Sequence, residues 1–220
     1  MDILDELKAR DRERWLAMLW APAGVRAALA AIMAFDHEQE RVVAELSEPL
    51  LAEIRLAWWR ERLTELAQGG TPPAEPLLRA LARHARPAGV DLAALATLED
   101  ALLPLLTGAP VDLADIAAAR GRVLAAAAAQ ASATAPAPEA AARIALARFL
   151  RRPWGRAAAS VEQGLGALQA QPADFETGPV RPGPLAGLDR LARADLAAFR
   201  AGRPLARPAS PIRQIRLALF

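Results

Sequence analysis

An all-α bundle is the fold class this 220-residue chain predicts, on three observations. Roughly a quarter of the residues are alanine, and leucine is the next great constituent. Both are strong helix formers, and alanine lets helices approach closely. Val, Ile and Thr together number only 21, a poor supply for a sheet. Finally, apolar residues recur three and four apart between breaks marked by proline and glycine, which is helical periodicity. The length suits one sizeable core, so residues 1–220 are expected to form a single domain.

The elements follow in order. Residues 4–20 read as a first helix carrying Leu4, Leu7, Trp15, Met18 and Leu19. Pro22 suits the first turn of a second helix that runs through Val25, Leu29, Ile32 and Phe35 to about Leu46. Ser47 is a candidate N-cap, with Pro49 in the first turn of a third helix reaching about Gln68. Gly69-Gly70-Thr71-Pro72-Pro73 is the clearest loop. Short helices are expected near 75–86 and 91–106, the latter ended or bent by Pro104. Asp112 opens a helix to about Ser132, and further helices are expected near 139–151, 154–170 and 188–200. Residues 172–187, with four prolines and three glycines, read as a loop. Residues 203–220 read as a basic amphipathic tail.

The formal net charge is only +2, and 26 of the 27 basic groups are arginine. Its distribution is uneven. Residues 179–220 carry eight Arg against Asp189 and Asp195, whereas the rest of the chain is net negative. Only the C-terminal fifth thus offers a basic surface to phosphates, lipid headgroups or an acidic partner. No Cys or Tyr is present, which removes thiolate nucleophiles, disulfides and Cys-ligated zinc. The acidic start, Met1-Asp2-Ile3-Leu4-Asp5-Glu6, does not read as a leader, and no stretch is apolar enough to span a bilayer. A cytoplasmic protein is expected, with peripheral contact at the inner membrane through 203–220.

The third helix carries the most information. In Glu48-Pro49-Leu50-Leu51-Ala52-Glu53-Ile54-Arg55-Leu56-Ala57-Trp58-Trp59-Arg60-Glu61-Arg62-Leu63, one arc holds Leu51, Ile54 and Trp58. A neighbouring arc holds Leu56, Trp59, Leu63 and Leu66. Arg55 and Arg62 fall between the arcs. Two readings stand: a central bundle helix whose arginines reach solvent or pair with carboxylates of the preceding helix, and a pocket wall where Arg and Trp meet an anionic headgroup.

This segment resembles the Trp-Trp helix of the squalene/phytoene synthase family, and especially its divergent members, which include a respiratory complex I assembly factor. Ile32-Met33-Ala34-Phe35 is similar to a segment preceding that helix in the family. Ala145 to Pro153 and the tail from Arg203 to Leu217 are similar to later segments of the divergent members. The resemblance implies an isoprenoid-synthase-like helical bundle, here shortened. In catalytic members it also implies two Asp-rich motifs holding Mg²⁺ and prenyl diphosphates. Hard oxygen ligands four residues apart on one helix face suit that ion.

Matched through Phe35, the first motif falls on 40–44, where only Glu40 is acidic; Asp36 and Glu40 form an i,i+4 pair, and Glu45 lies a turn beyond. The second motif falls on Arg152 and Arg156, two cations that repel a metal. The resemblance therefore implies a protein with the fold but without the metal chemistry or a cofactor. Such a chain binds a protein partner or a hydrophobic or anionic ligand, in the manner of an assembly factor. The alternative is a Mg²⁺-dependent prenyl diphosphate transferase using Asp36, Glu40 and Glu45. Candidate binding residues are Arg55, Trp58, Trp59 and Arg62 on the third helix, with Arg151, Arg152, Trp154 and Arg156 later. That second group reads either as a cationic patch around a packing Trp or as a site for an anionic lipid or prenyl-like ligand. His37 and His84 lack partners at metal-ligand spacing. No motif for nucleic acid accompanies the arginines, and no nucleic-acid partner is expected.

Overall fold

The computed structural model describes residues 2–132, 134–170, 180, 182–207, 210 and 213. Among these there is no strand, and the all-α expectation is met by ten α-helices joined by short 3₁₀ and π-helical turns. They are α1 (Ile3–Arg10), α2 (Arg12–Met18), α3 (Ala23–Glu45), α4 (Pro49–Ala67), α5 (Pro76–Ala80), α6 (Leu92–Ala96), α7 (Leu113–Ala131), α8 (Pro138–Phe149), α9 (Ala158–Ala170) and α10 (Ala186–Arg200).

The single helix expected over 4–20 is two. Asp11 stops α1 and caps α2, its carboxylate accepting from the Arg14 amide at 3.1 Å. An aspartate that satisfies a free amide in this way favours a new helix start over continuation. Ser47 is not the cap of α4; Glu48 is, and its side chain makes no cap bond. Asp112 caps α7 as expected, accepting from Ala114 and Asp115. The 91–106 helix is interrupted: α6 passes into a 3₁₀ turn at Thr97–Glu99, and Pro104 sits in the first turn of another, Leu103–Leu106. Most of 172–187 and of the 203–220 tail lies outside the described residues.

Helix α3 is the axis of the bundle. Every residue from Ala28 to Glu40 is buried, and α1, α2, α4, α5 and α7 all pack on it. A helix buried on all sides should be apolar all round. Its second half is not: Asp36, His37, Glu38, Gln39 and Glu40 are interior. Helices α7 and α8 form the closest pair, and the reason is small side chains. Gly121 of α7 lies so near α8 that a Cβ there would meet the Ala142 amide nitrogen at 2.5 Å. Helix α10 then covers α8, and α4 rests on α6 and α3.

Of the two apolar arcs of α4, only one is core. Leu56, Trp59, Leu63 and Leu66 are buried, with Trp59 edge-on to Phe35 at 5.7 Å. Leu51 and Ile54 of the other arc face solvent, and Trp58 is half-buried. The reason is supply: α3 and α6 cover one side of α4, and no described element covers the other.

Replacing Gly121 by Ala should destabilise the fold by about 1–3 kcal/mol in urea unfolding, because backbone must move. Gly166→Ala, on α9 with nothing within 4 Å of the new carbon, should instead stabilise by about 0.5–1 kcal/mol.

Candidate functional site

Asp36 and Glu40, in the polar half of α3, are met by arginines from four other segments. Asp36 is paired with Arg14 of α2 and Arg120 of α7. Glu40, one turn on, accepts from Arg120 Nη2 at 2.7 Å and from Arg148 Nε of α8 at 3.1 Å. Arg148 also reaches Asp11 at 2.9 Å. Arg152, just past α8, lies 3.7 Å from Glu40 and 3.9 Å from Glu45, and its Nη2 is 3.1 Å from His37 Nε2. Asp36, Glu40 and Arg120 have no exposed surface at all.

Two carboxylates at the centre of a bundle cost several kcal/mol each in lost hydration unless they are paired and hydrogen-bonded. The arginines supply that pairing. Burial alone would raise the pKa of Glu40, but Arg148, Arg120, Arg14 and Arg152 outweigh it and hold Glu40 well below the usual carboxylate range. Asp11 follows the same pattern: burial raises it, and Arg148, His37 and Arg14 bring it far down. Four guanidinium groups (Arg14, Arg120, Arg148, Arg152) thus face three buried carboxylates (Asp11, Asp36, Glu40). Arg152 is the most loosely paired of the four, its contacts to Glu40 and Glu45 both being long. Burial pushes its guanidinium down from the usual arginine range, Glu40 opposes, and Arg148 and Arg14 add to the fall.

Beside this cluster a cleft of about 470 Å³ opens between α1, α2, the end of α3 and the end of α8. Arg10, Arg12, His37, Arg148, Arg151 and Arg152 line it, together with the carboxylates of Asp11, Glu13 and Glu45. A second tie lies behind it. Arg151 pairs with Asp195 of α10 and donates to the Ala206 carbonyl at 2.7 Å. Arg213 donates to Asp195 and to Glu13 of α2, both at 2.7 Å, and is 2% exposed.

Residues 7–103 match the family model of squalene/phytoene synthase. A search of curated proteins finds no match. The squalene/phytoene synthase match includes Asp36, Glu40 and α4, and the all-α bundle agrees with it. It ends before α7 and α8, which bring Arg120 and Arg148 to the same carboxylates.

A squalene/phytoene synthase relationship implies Mg²⁺, and the donor set here does not fit that ion. Both oxygens of Asp36 and both of Glu40 face guanidinium nitrogens. Among the described residues, no group of three or more Asp, Glu or His is placed to hold a metal. Glu45 does not converge with Asp36 and Glu40; its carboxylate is exposed and bonded to Arg41 at 3.0 Å.

The other predicted residues separate. Arg151 and Arg152 reach the cleft, whereas Trp154 is buried and stacked on Phe149 at 4.9 Å. Arg156 stands apart, at the edge of a small apolar cavity with Val43, Leu46 and Leu105. On α4, Arg55 is exposed and lies over Trp58 at 4.7 Å, and Arg62 pairs with Glu65 of its own helix at 2.7 Å, not with the preceding helix. Arg55, Trp58, Trp59 and Arg62 do not line the cleft. Sequence reasoning missed Arg14, Arg120 and Arg213. Arg120 left a signal: it shares a helical face with Ile116, Ala117 and Leu124, all buried.

Arg120→Met should cost about 3–5 kcal/mol in urea unfolding, because it strands buried negative charge. Adding Asp36→Asn to that variant should recover part of the loss, a coupling of about 0.5–3 kcal/mol. Acid should act in the same place. Groups held below their unfolded pKa, about 3.9 for Asp and 4.3 for Glu, stabilise fully above those values. They lose that contribution as pH falls through the folded ones. The unfolding free energy measured in urea should therefore fall below about pH 4, at up to ~1.4 kcal/mol per pH unit for each such group.

Proposed function

We propose that this chain is a non-catalytic relative of the squalene/phytoene synthases that binds an anionic ligand in the Arg10–Arg152 cleft without metal. The observation that carries the reading is the occupation of Asp36 and Glu40 by guanidinium groups. A carboxylate pair of this kind would have to surrender its arginines before it could coordinate Mg²⁺. The five arginines of the cleft outnumber its carboxylates Asp11, Glu13 and Glu45, and Arg152 among them is only loosely paired. Guanidinium is suited to phosphate, since its planar donors match two oxygens at once.

The ligand class is an anionic lipid, a prenyl-like phosphate or an acidic stretch of a protein partner. A place in respiratory complex assembly rests on the resemblance to the divergent members alone. Peripheral contact at the inner membrane is read from the basic, amphipathic character of 203–220. No described helix is long and apolar enough to cross a membrane. Any membrane contact of 203–220 falls to residues other than Arg213, which is buried against α2 and α10.

Calorimetric titration with inorganic pyrophosphate and with farnesyl diphosphate tests the proposal, run in EDTA and again in Mg²⁺. Binding should be equal in both, weaken with added salt, and fall at least tenfold in Arg152→Gln, whose unfolding midpoint should match or exceed the parent's. Magnesium-dependent consumption of farnesyl diphosphate that disappears in Asp36→Asn/Glu40→Gln would establish the prenyl transferase reading instead.

A further inference from the structure

A second cleft, of about 580 Å³, lies on another part of the bundle and shares no residue with the basic one. One wall is α4, where Glu53, Ala57 and Arg60 recur at helical spacing. The other is built from the 3₁₀ turns and the segment that follows them, with Glu99, Asp100, Leu103 and Val111. Three carboxylates and one guanidinium therefore line it, a charge opposite to that of the first cleft.

Glu99 is the informative member. It is 2% exposed, although it belongs to a wall of the cleft. Its Oε1 lies 2.6 Å from Arg60 Nη1, while its buried Oε2 has no hydrogen-bond partner. Buried carboxylate oxygens are ordinarily bonded, and one left over calls for an explanation. Burial raises the pKa of Glu99, Arg60 opposes, and Asp100 adds to the rise; a second cation at Oε2 would relieve both conditions. The walls between the charges are aliphatic: Ala57, Leu103, Pro104 and Val111. Outward along α4 the surface stays apolar, with Leu50 and Ile54 both more than half exposed.

We propose that this cleft binds an alkyl cation, an ammonium or guanidinium group on an aliphatic stem. The cation bonds Glu99 Oε2 within reach of Glu53 and Asp100, and the stem lies on Ala57, Leu103 and Val111. That chemistry has two sources, a free amine and a lysine or arginine side chain presented by a protein segment.

The test is amide NMR of the full, isotopically labelled chain. The probes are agmatine, cadaverine, the capped peptide acetyl-Ala-Leu-Lys-Leu-Ala-amide, and neutral 1-pentanol. Saturable shifts are expected at amides within 53–60 and 99–111, weakened at least tenfold by Glu99→Gln. The double variant Glu53→Gln/Asp100→Asn changes two exposed residues, so it tests the site even if Glu99→Gln fails to fold; it too should weaken binding severalfold. A peptide at least tenfold tighter than cadaverine identifies a partner's side chain as the source, and comparable affinities identify a free amine. No saturable shift at tens of millimolar, equal binding of pentanol, or shifts confined to the arginine-lined cleft would overturn the proposal.

Discussion

The bundle is organised around carboxylates that cannot stand alone. Helix α3 carries Asp36 and Glu40 into the interior, and each would be expelled or protonated without cationic neighbours. Those neighbours come from α2, α7, α8 and the turn after α8. The network therefore fixes the relative placement of segments more than a hundred residues apart. A hydrophobic contact between the same helices would tolerate a slip of a few ångströms; a guanidinium shared between Asp36 and Glu40 does not. Buried ion pairs are weak evidence of net stability, and their effect here is better described as selecting one arrangement of helices.

Close packing makes that arrangement reachable. An arginine at the axis needs its helix near α3, and α7 presents Arg120 beside Ala117 and Gly121, residues that add little bulk. Its partner α8 packs on that same small-residue surface, so α7 and α8 form a rigid pair delivering Arg120 and Arg148 together. The alanine content and the buried charge are thus linked: small side chains let backbones approach, and the approach lets one turn of α3 be neutralised from two directions. Arg213 repeats the device near the C-terminal end, joining Glu13 to Asp195 and so α2 to α10.

The helices were legible in the sequence because periodicity and caps are local. Asp112 and Pro49 mark helix starts whatever surrounds them, and α3, α4 and α7 fall close to their expected limits. The break at Asp11 was missed because no Pro or Gly marks it within the charged run Arg10 to Arg14, and only the cap bond to Arg14 decides between one helix and two. Which arc of α4 is buried was not legible for a different reason. Leu51, Ile54 and Trp58 have the composition of a core face, and only the neighbours of α4 determine which face is covered. Pairings such as Arg148 with Glu40 lie beyond local reading altogether, since any of many arginines satisfies the same charge rule. Arg120 is the exception: a cation in the middle of an alanine and leucine face either distorts the helix or meets a buried anion.

Arginines and a divalent ion give a site different capacities. A magnesium ion exchanges, carries concentrated charge, and is drawn onto the carboxylates by a phosphate it also binds. Guanidinium groups are covalently held and spread their charge over a plane, so the site is positive before any ligand arrives. Affinity then depends on charge already in place, and binding carries no requirement for an ion to arrive with the ligand. Ionising a diphosphate demands more: strong stabilisation of the leaving group and a cavity that keeps water from a carbocation. In this chain the basic cleft lies at the edge of the apolar core and shares no lining residue with the small apolar cavity beside Val43, Leu46 and Leu105. On the proposed reading, the guanidinium groups hold an anion at that edge, its charge met by donors already in place.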